Sequence, residues 1–143
     1  MSRHRAALGG LVGRRITAVW VVWILEEDEW FTDLPVVLVF DDGRQLELCW
    51  QRVDDLSISW ETIDLAVPPV AWVTWALQWR AAADPAVNGM IGRVVTEVVP
   101  TGGRHEMAGL WFGAADTGLY VYAAGDENGF AADRRGDRRR ADL

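Results

Sequence analysis

Residues that could do chemistry are few in this chain and widely separated. There is one cysteine, Cys49, and there are two histidines, His4 and His105. Two histidines without paired spacing do not form a transition-metal site. Cys49 lies within an alternating strand pattern, where a small thiol is more often buried than reactive. We therefore predict no metal site, no cofactor and no nucleophilic catalysis.

The segment Asp116-Thr117-Gly118 is the strongest catalytic candidate. It resembles the active-site triplet of the aspartic peptidases, a family in which two aspartates share one proton. The resemblance covers three residues, and the matching place in the first half of the chain holds Asp41-Asp42-Gly43. A solvated β-turn accounts for both segments. We therefore predict no catalytic residues and no enzymatic activity.

Charge is distributed unevenly along the 143 residues. The net charge is −7, but residues 134–143 contain five arginines and two aspartates, so residues 1–133 carry −10. An acidic body argues against nucleic acid as the partner. The longest apolar run, from Ile16 to Leu25, is too short to cross a membrane. A lone cysteine excludes an intramolecular disulfide. We expect a soluble, cytoplasmic protein without nucleic-acid or membrane partners.

One sequence pattern occurs twice, at Gly10–Val19 and at Gly89–Val98. Each copy has a glycine turn, an arginine and a strand, and each is followed by an apolar strand, an Asp-Gly or Asp-Thr-Gly turn and another strand. A unit this short cannot bury both faces of its sheet alone. We predict a single mainly-β domain over residues 1–133, a small barrel or sandwich of two pseudo-repeated β-units (about 10–67 and 89–133). The arginine-rich tail 134–143 is expected to be disordered.

The segment 70–83 fits two secondary structures. Trp72, Trp75 and Trp79 have helical spacing, but alternate residues from Val73 to Trp79 also fit a strand. We predict a helix over about 70–83 that joins the two units, because the stretch is long enough for several turns. The three tryptophans would then line a small-ligand pocket or pack against the sheet.

An acidic and aromatic stretch follows the first long strand. Aromatic side chains framed by carboxylates suit a contact surface for a basic partner. The alternative is a loop whose aromatic rings fold back onto the core. The candidate partner-binding residues are Glu26, Glu27, Asp28, Glu29, Trp30, Phe31 and Asp33.

These observations favour a non-enzymatic protein-binding domain with an acidic face. Proteins of the immunity or inhibitor type, which neutralise a basic toxin or nuclease, fit this description. A homo-oligomeric structural or scaffold domain is the alternative, because the strand Arg14–Leu25 is apolar on both faces and must be covered on both. A small-ligand pocket lined by tryptophan is a further alternative.

Overall fold

A computed structural model describes residues 4–52, 55–69, 75–102, 107–124 and 127–133. The predicted disordered tail 134–143 and one predicted pocket residue, Trp72, lie outside the described residues. Within these ranges the chain is mainly β, as predicted, and it forms two antiparallel sheets.

The first sheet follows a short helix, α1 (Arg5–Gly9), and contains six strands. Strand β1 pairs with β2, β3 and β6, and the sheet continues from β3 to β4 and β5. Its strands are β1 (Ile16–Ile24), β2 (Glu29–Trp30), β3 (Val36–Phe40), β4 (Gln45–Arg52), β5 (Asp55–Trp60) and β6 (Leu77–Ala81).

The second sheet follows helix α2 (Pro85–Met90) and is a four-stranded meander. Its strands are β7 (Glu97–Thr101), β8 (Gly109–Gly113), β9 (Gly118–Ala124) and β10 (Glu127–Ala131). Over the described residues the strands do not close into a barrel, and the two open sheets form a sandwich-like fold.

The predicted helix over 70–83 is wrong where the structure describes it. Residues Leu77–Ala81 form β6, which pairs antiparallel with β1. The strand alternative fits because Leu77 and Trp79 join an apolar cluster on one face, whereas Gln78 is exposed on the other. The helix lies later, at α2, where Asp84 caps the N-terminus by accepting a hydrogen bond from the N–H of Ala86 (2.9 Å).

The two glycine turns of the repeated pattern contact each other directly. The N–H of Gly13 donates to the carbonyl of Val95, and the N–H of Gly92 donates to the carbonyl of Ile16, both at 2.8 Å. Both glycines have positive φ, 90° and 83°, a conformation that side chains disfavour. Each copy therefore makes the same hydrogen bond to the other.

The core between the sheets is built from equivalent residues of the two units. Leu11 and Met90 are fully buried under the glycine turns, as are Ile16 and Val95. Phe40 of β3 and Phe112 of β8 meet across the sandwich, with ring centroids 6.5 Å apart. The remaining buried members of this core include Val19, Val21, Leu38, Leu46, Leu48, Leu110, Leu119 and Val121.

The second apolar face of β1 is covered in part by the protein itself. Val22 and Ile24 are buried in a separate cluster with Phe31 and Leu77. Trp20, on the same face, is half-buried. Over the described residues, contacts within one chain therefore account for the end of this face but not for all of it.

A buried carboxylate anchors the segment after β5. Glu47 is 2 % exposed and accepts hydrogen bonds from the side chains of Gln45, Ser59 and Thr62 and from the N–H groups of Thr62 and Ile63. Burial by itself would raise the pKa of Glu47, but these hydrogen bonds outweigh burial and hold its pKa below the usual value.

Glu47→Gln should destabilise the fold by about 1–3 kcal/mol at neutral pH, because the new amide N–H₂ faces donors that it cannot pair with. A depressed folded-state pKa contributes stability above the usual pKa of 4.5, and this contribution is lost as the pH falls through the folded value. Denaturant unfolding of both proteins should therefore show a difference that shrinks well below pH 4.5. A difference that stays constant with pH would contradict this role.

Flat aromatic rings cover glycines on one face of the second sheet. A Cβ added to Gly118 would lie 2.2 Å from the ring of Trp111, and one added to Gly129 would lie 2.7 Å from Tyr122. Tyr120 lies over Gly109 in the same way, and its hydroxyl is 2.6 Å from Thr101 Oγ1. These glycines are required by the rings that lie on them.

Gly118→Ala should lower the free energy of unfolding by about 1–3 kcal/mol, because the methyl group overpacks against the Trp111 ring. Gly9→Ala is the matched control, since nothing lies within 4 Å of its Cβ position. Thermal unfolding measures both. If the close approach of the ring is the cause, Gly118→Ala should destabilise the Trp111→Leu variant much less than it destabilises the wild type. An equal loss of stability in both backgrounds would contradict this explanation.

Candidate functional site

An acidic turn joins β1 to β2 and is held in place by the segment that leads into β6. The N–H of Leu25 donates to the carbonyl of Ala76 at 3.0 Å. In return, both carboxylate oxygens of Glu26 accept from the N–H of Ala76, at 3.0 and 3.1 Å. These contacts explain why a run of four acidic residues, 26–29, has a defined conformation.

Asp28 fixes the far side of the turn. Its φ is +53°, a conformation that aspartate tolerates better than most residues. Its carboxylate accepts from the indole N–H of Trp23 at 3.0 Å and lies 3.7 Å from the guanidinium of Arg80. That guanidinium also stacks over the Trp23 ring, 5.2 Å from its centroid. The Asp28 side chain nevertheless remains 84 % exposed.

The structure divides the predicted acidic and aromatic site in two. All five carboxylates, those of Glu26, Glu27, Asp28, Glu29 and Asp33, belong to exposed residues. The two aromatic rings turn inward instead. Phe31 is buried, and the Trp30 ring stacks on Phe130 of the second sheet with centroids 4.9 Å apart. The fold-back alternative therefore describes the aromatic residues, and the exposed surface is acidic.

The predicted tryptophan pocket lies next to the acidic turn. Trp75 makes an edge-to-face contact with Phe31, with centroids 5.4 Å apart, and Trp79 packs against the same cluster. Both tryptophans are half-buried, and Trp72 lies outside the described residues. A ligand pocket at these residues stays a prediction, whereas their packing against the sheet is observed.

Two residues that the sequence analysis missed belong to the same surface. Leu25 is an exposed apolar side chain at the start of the acidic turn. Glu127, at the start of β10, accepts from Thr32 Oγ1 at 2.8 Å and so lies beside Asp33. We call this surface the acidic end; it comprises Leu25, Glu26, Glu27, Asp28, Glu29, Asp33 and Glu127. Of these two residues, only Leu25 could have been found from the sequence, because it is the last apolar residue before the acidic run.

The buried side-chain amide of Asn128 holds the loop of the acidic end in place. Asn128 is 2 % exposed, and its side-chain oxygen accepts from the N–H of Trp50 on β4 at 2.7 Å. Its side-chain nitrogen donates to the carbonyls of Thr32 and Leu34, at 2.9 and 2.8 Å. Asn128 therefore ties β10 of the second sheet to the loop that carries Asp33.

The aspartates of the two turns considered for catalysis lie at the other end of the strands. Asp42 follows β3 and is paired with Arg44 (2.7 Å) and Arg14 (3.8 Å), whereas Asp116 precedes β9 and is paired with Arg93 (3.1 Å). Hydrogen bonds from Arg44 lower the pKa of Asp42. Each aspartate thus has its own arginine partner, and the arginines of the two copies of the pattern, Arg14 and Arg93, both form such pairs.

In the described ranges, no group of three histidine, cysteine, aspartate or glutamate residues is placed to hold a metal ion. No helix among the described residues has the length and apolar character needed to cross a bilayer.

Comparison with known proteins gave no match to any family model, curated protein or solved structure. Function is therefore inferred from the chain's own geometry.

Cys49 is half-buried beside the acidic end. Its thiol lies 3.6 Å from the carbonyl of Asp33. Burial raises the pKa of Cys49, and the nearby Asp33 carboxylate raises it further, while a hydrogen bond with Asn128 acts in the opposite direction. A thiol with a raised pKa is a weak nucleophile at neutral pH.

The pH dependence of Cys49 alkylation by iodoacetamide should have its midpoint above the usual thiol pKa of 9.0 in the folded protein. Unfolding in denaturant exposes the thiol and should return the midpoint to the usual value, which provides an internal control. Equal midpoints in the folded and unfolded protein would contradict the burial of this thiol.

Proposed function

We propose that this protein is a non-enzymatic binding domain whose acidic end recognises a basic partner protein. The observation that carries the proposal is the concentration of exposed carboxylates at one end of the sandwich, on a turn with a fixed conformation. A domain of the immunity or inhibitor type, which neutralises a basic toxin or nuclease, is the function that this surface suits best.

Fixed geometry supports this proposal. The acidic turn is held by Ala76 on one side and by Trp23 and Arg80 on the other. The loop carrying Asp33 is held by Asn128. A surface that is already ordered loses little conformational entropy on binding, so more of the contact energy appears as affinity.

Charge placement also supports the proposal. Clustered like charges repel one another. Glu26 and Asp28 hold the turn through Ala76, Trp23 and Arg80, but a run of four carboxylates is more charge than these contacts require, which suits a role outside folding. An acidic patch attracts a basic partner over a distance and raises the association rate. Leu25, exposed among the carboxylates, offers the apolar contact that the centre of a protein interface requires.

Neutralising the acidic turn should abolish partner capture, whereas the same change of charge elsewhere should not. The turn variant combines Glu26→Gln, Glu27→Gln and Glu29→Gln, which keep hydrogen-bond acceptors. The control variant combines Asp41→Asn, Glu61→Gln and Glu97→Gln at the opposite end of the strands. Affinity capture from lysates should yield basic proteins with the wild type and the control variant but not with the turn variant.

Salt provides an independent readout of the same interaction. Exposed charges are screened at high ionic strength, so captured proteins should elute as the salt concentration rises. Loss of capture to the same extent in both triple variants would indicate a net-charge effect and contradict a local site. Capture that is unaffected by the turn variant would contradict the proposed function.

A further inference from the structure

We propose that the partner contributes an extended basic segment that pairs, as an added strand, with the outer edge of β6 beside the acidic turn. This inference rests on the proposed function, because the partner's basic character is taken from it. It goes further by assigning the binding mode and the backbone groups that take part.

The direction of the β6 backbone groups follows from its pairing with β1. Ala82 donates to the carbonyl of Val19 at 2.8 Å, and Ala76 accepts from Leu25 at 3.0 Å. Hydrogen-bonding direction alternates along an antiparallel strand. The backbone N–H and C=O groups of Leu77, Trp79 and Ala81 therefore point away from β1. Within the described ranges, β6 has no strand partner other than β1.

Over the described residues, the edges at β5, β7 and β10 are each interrupted or already contacted, whereas the edge at β6 is not. Strand β7 contains Pro100, which has no N–H to donate. The edge of β10 is already hydrogen-bonded to the loop of the acidic end, because the N–H of Asn128 donates to the carbonyl of Thr32 at 2.9 Å. Strand β5 is met by the carbonyl of Met107, which accepts from Leu56 at 2.7 Å. Unprotected edges of this kind are the sites at which extended peptides add to sheets.

The surroundings of the β6 edge determine the chemistry of the added segment. Glu26 is bound to Ala76, directly before the first residue of β6, and Glu27 is exposed on the same turn. Basic side chains of an added strand would meet these carboxylates at one end of β6. The half-buried ring of Trp79 lies along one face of the strand, where alternate apolar side chains would pack. An alternating basic and apolar strand is therefore the segment that fits.

The test uses the whole protein and a synthetic peptide of alternating arginine and valine, compared with the same peptide N-methylated at every residue. Both peptides carry the same charge, but only the unmethylated peptide can pair through its backbone. Binding is measured by fluorescence anisotropy at low ionic strength. Amide hydrogen exchange at Leu77, Trp79 and Ala81 should slow by roughly tenfold or more with the unmethylated peptide only.

A substitution on the edge gives a second readout. Ala81→Pro removes an N–H that points away from β1, so it spares the hydrogen bonds within the sheet. It should weaken binding of the unmethylated peptide by roughly tenfold. Ala81→Val keeps the N–H and the strand preference and should bind like the wild type. Circular dichroism and thermal unfolding check that both variants are folded.

The outcomes separate this inference from the function on which it rests. Equal binding of both peptides, lost in the Glu26→Gln, Glu27→Gln and Glu29→Gln variant, would overturn strand addition while leaving a basic partner at the acidic end. Failure of both peptides to bind would overturn strand addition, and the proposed function would then be judged by affinity capture alone. Protection of the β6 amides that rises with protein concentration in the absence of peptide would show that a second copy of the chain occupies the edge.

Discussion

The reciprocal hydrogen bonds between the two glycine turns are the contact on which the rest of the fold depends. Gly13 and Gly92 each present an N–H to the opposite copy, which positions Ile16 and Val95 side by side at the entry to the core. From this junction one copy leads into β1 and the other towards β7. The two sheets consequently face each other, and their inner residues fill one common interior.

This arrangement places stability and the proposed recognition at opposite ends of the sandwich. The glycine-turn end holds arginines that are matched by aspartates, as in the pairs of Arg14 with Asp42 and of Arg93 with Asp116. The acidic end carries exposed carboxylates in excess of the nearby cation, Arg80. The hydrophobic interior and the Glu47 cluster stabilise the fold, and the exposed carboxylates of the acidic end are the groups proposed to contact a partner.

Local patterns predicted much of the first sheet. The boundaries of β3 at Val36–Phe40 follow from Pro35 and the turn at Asp42-Gly43, and the alternation of side-chain types along β4 and β5 is typical of strands. Strand β6 was assigned wrongly because the tryptophan spacing fits a helix as well as a strand. Pairing with β1, which is distant in sequence, makes this segment a strand, because Trp20–Ile24 of β1 hydrogen-bond with it. Tertiary context of this kind overrides local preference.

The sequence predicts which residues of the candidate site are charged and exposed, but not which way its aromatic side chains point. A run of carboxylates at 26–29 has to be solvated, which the sequence alone indicates. The inward orientation of Trp30 and Phe31 depends on Phe130 and Trp75, whose proximity no local pattern reveals. The exposure of Leu25 likewise depends on where the turn begins.

Asn128 has a consequence for the order in which the nascent protein matures. Its side chain joins Trp50, Thr32 and Leu34, all of which leave the ribosome long before it does. Contacts between residues so far apart in sequence form late in folding. Until β10 has been synthesised, the N–H of Trp50 and the carbonyls of Thr32 and Leu34 lack this partner and are hydrated instead. The loop carrying Asp33 is therefore fixed by Asn128 only after β10 has been made, whereas the contacts of the acidic turn with Ala76 join residues that are made earlier.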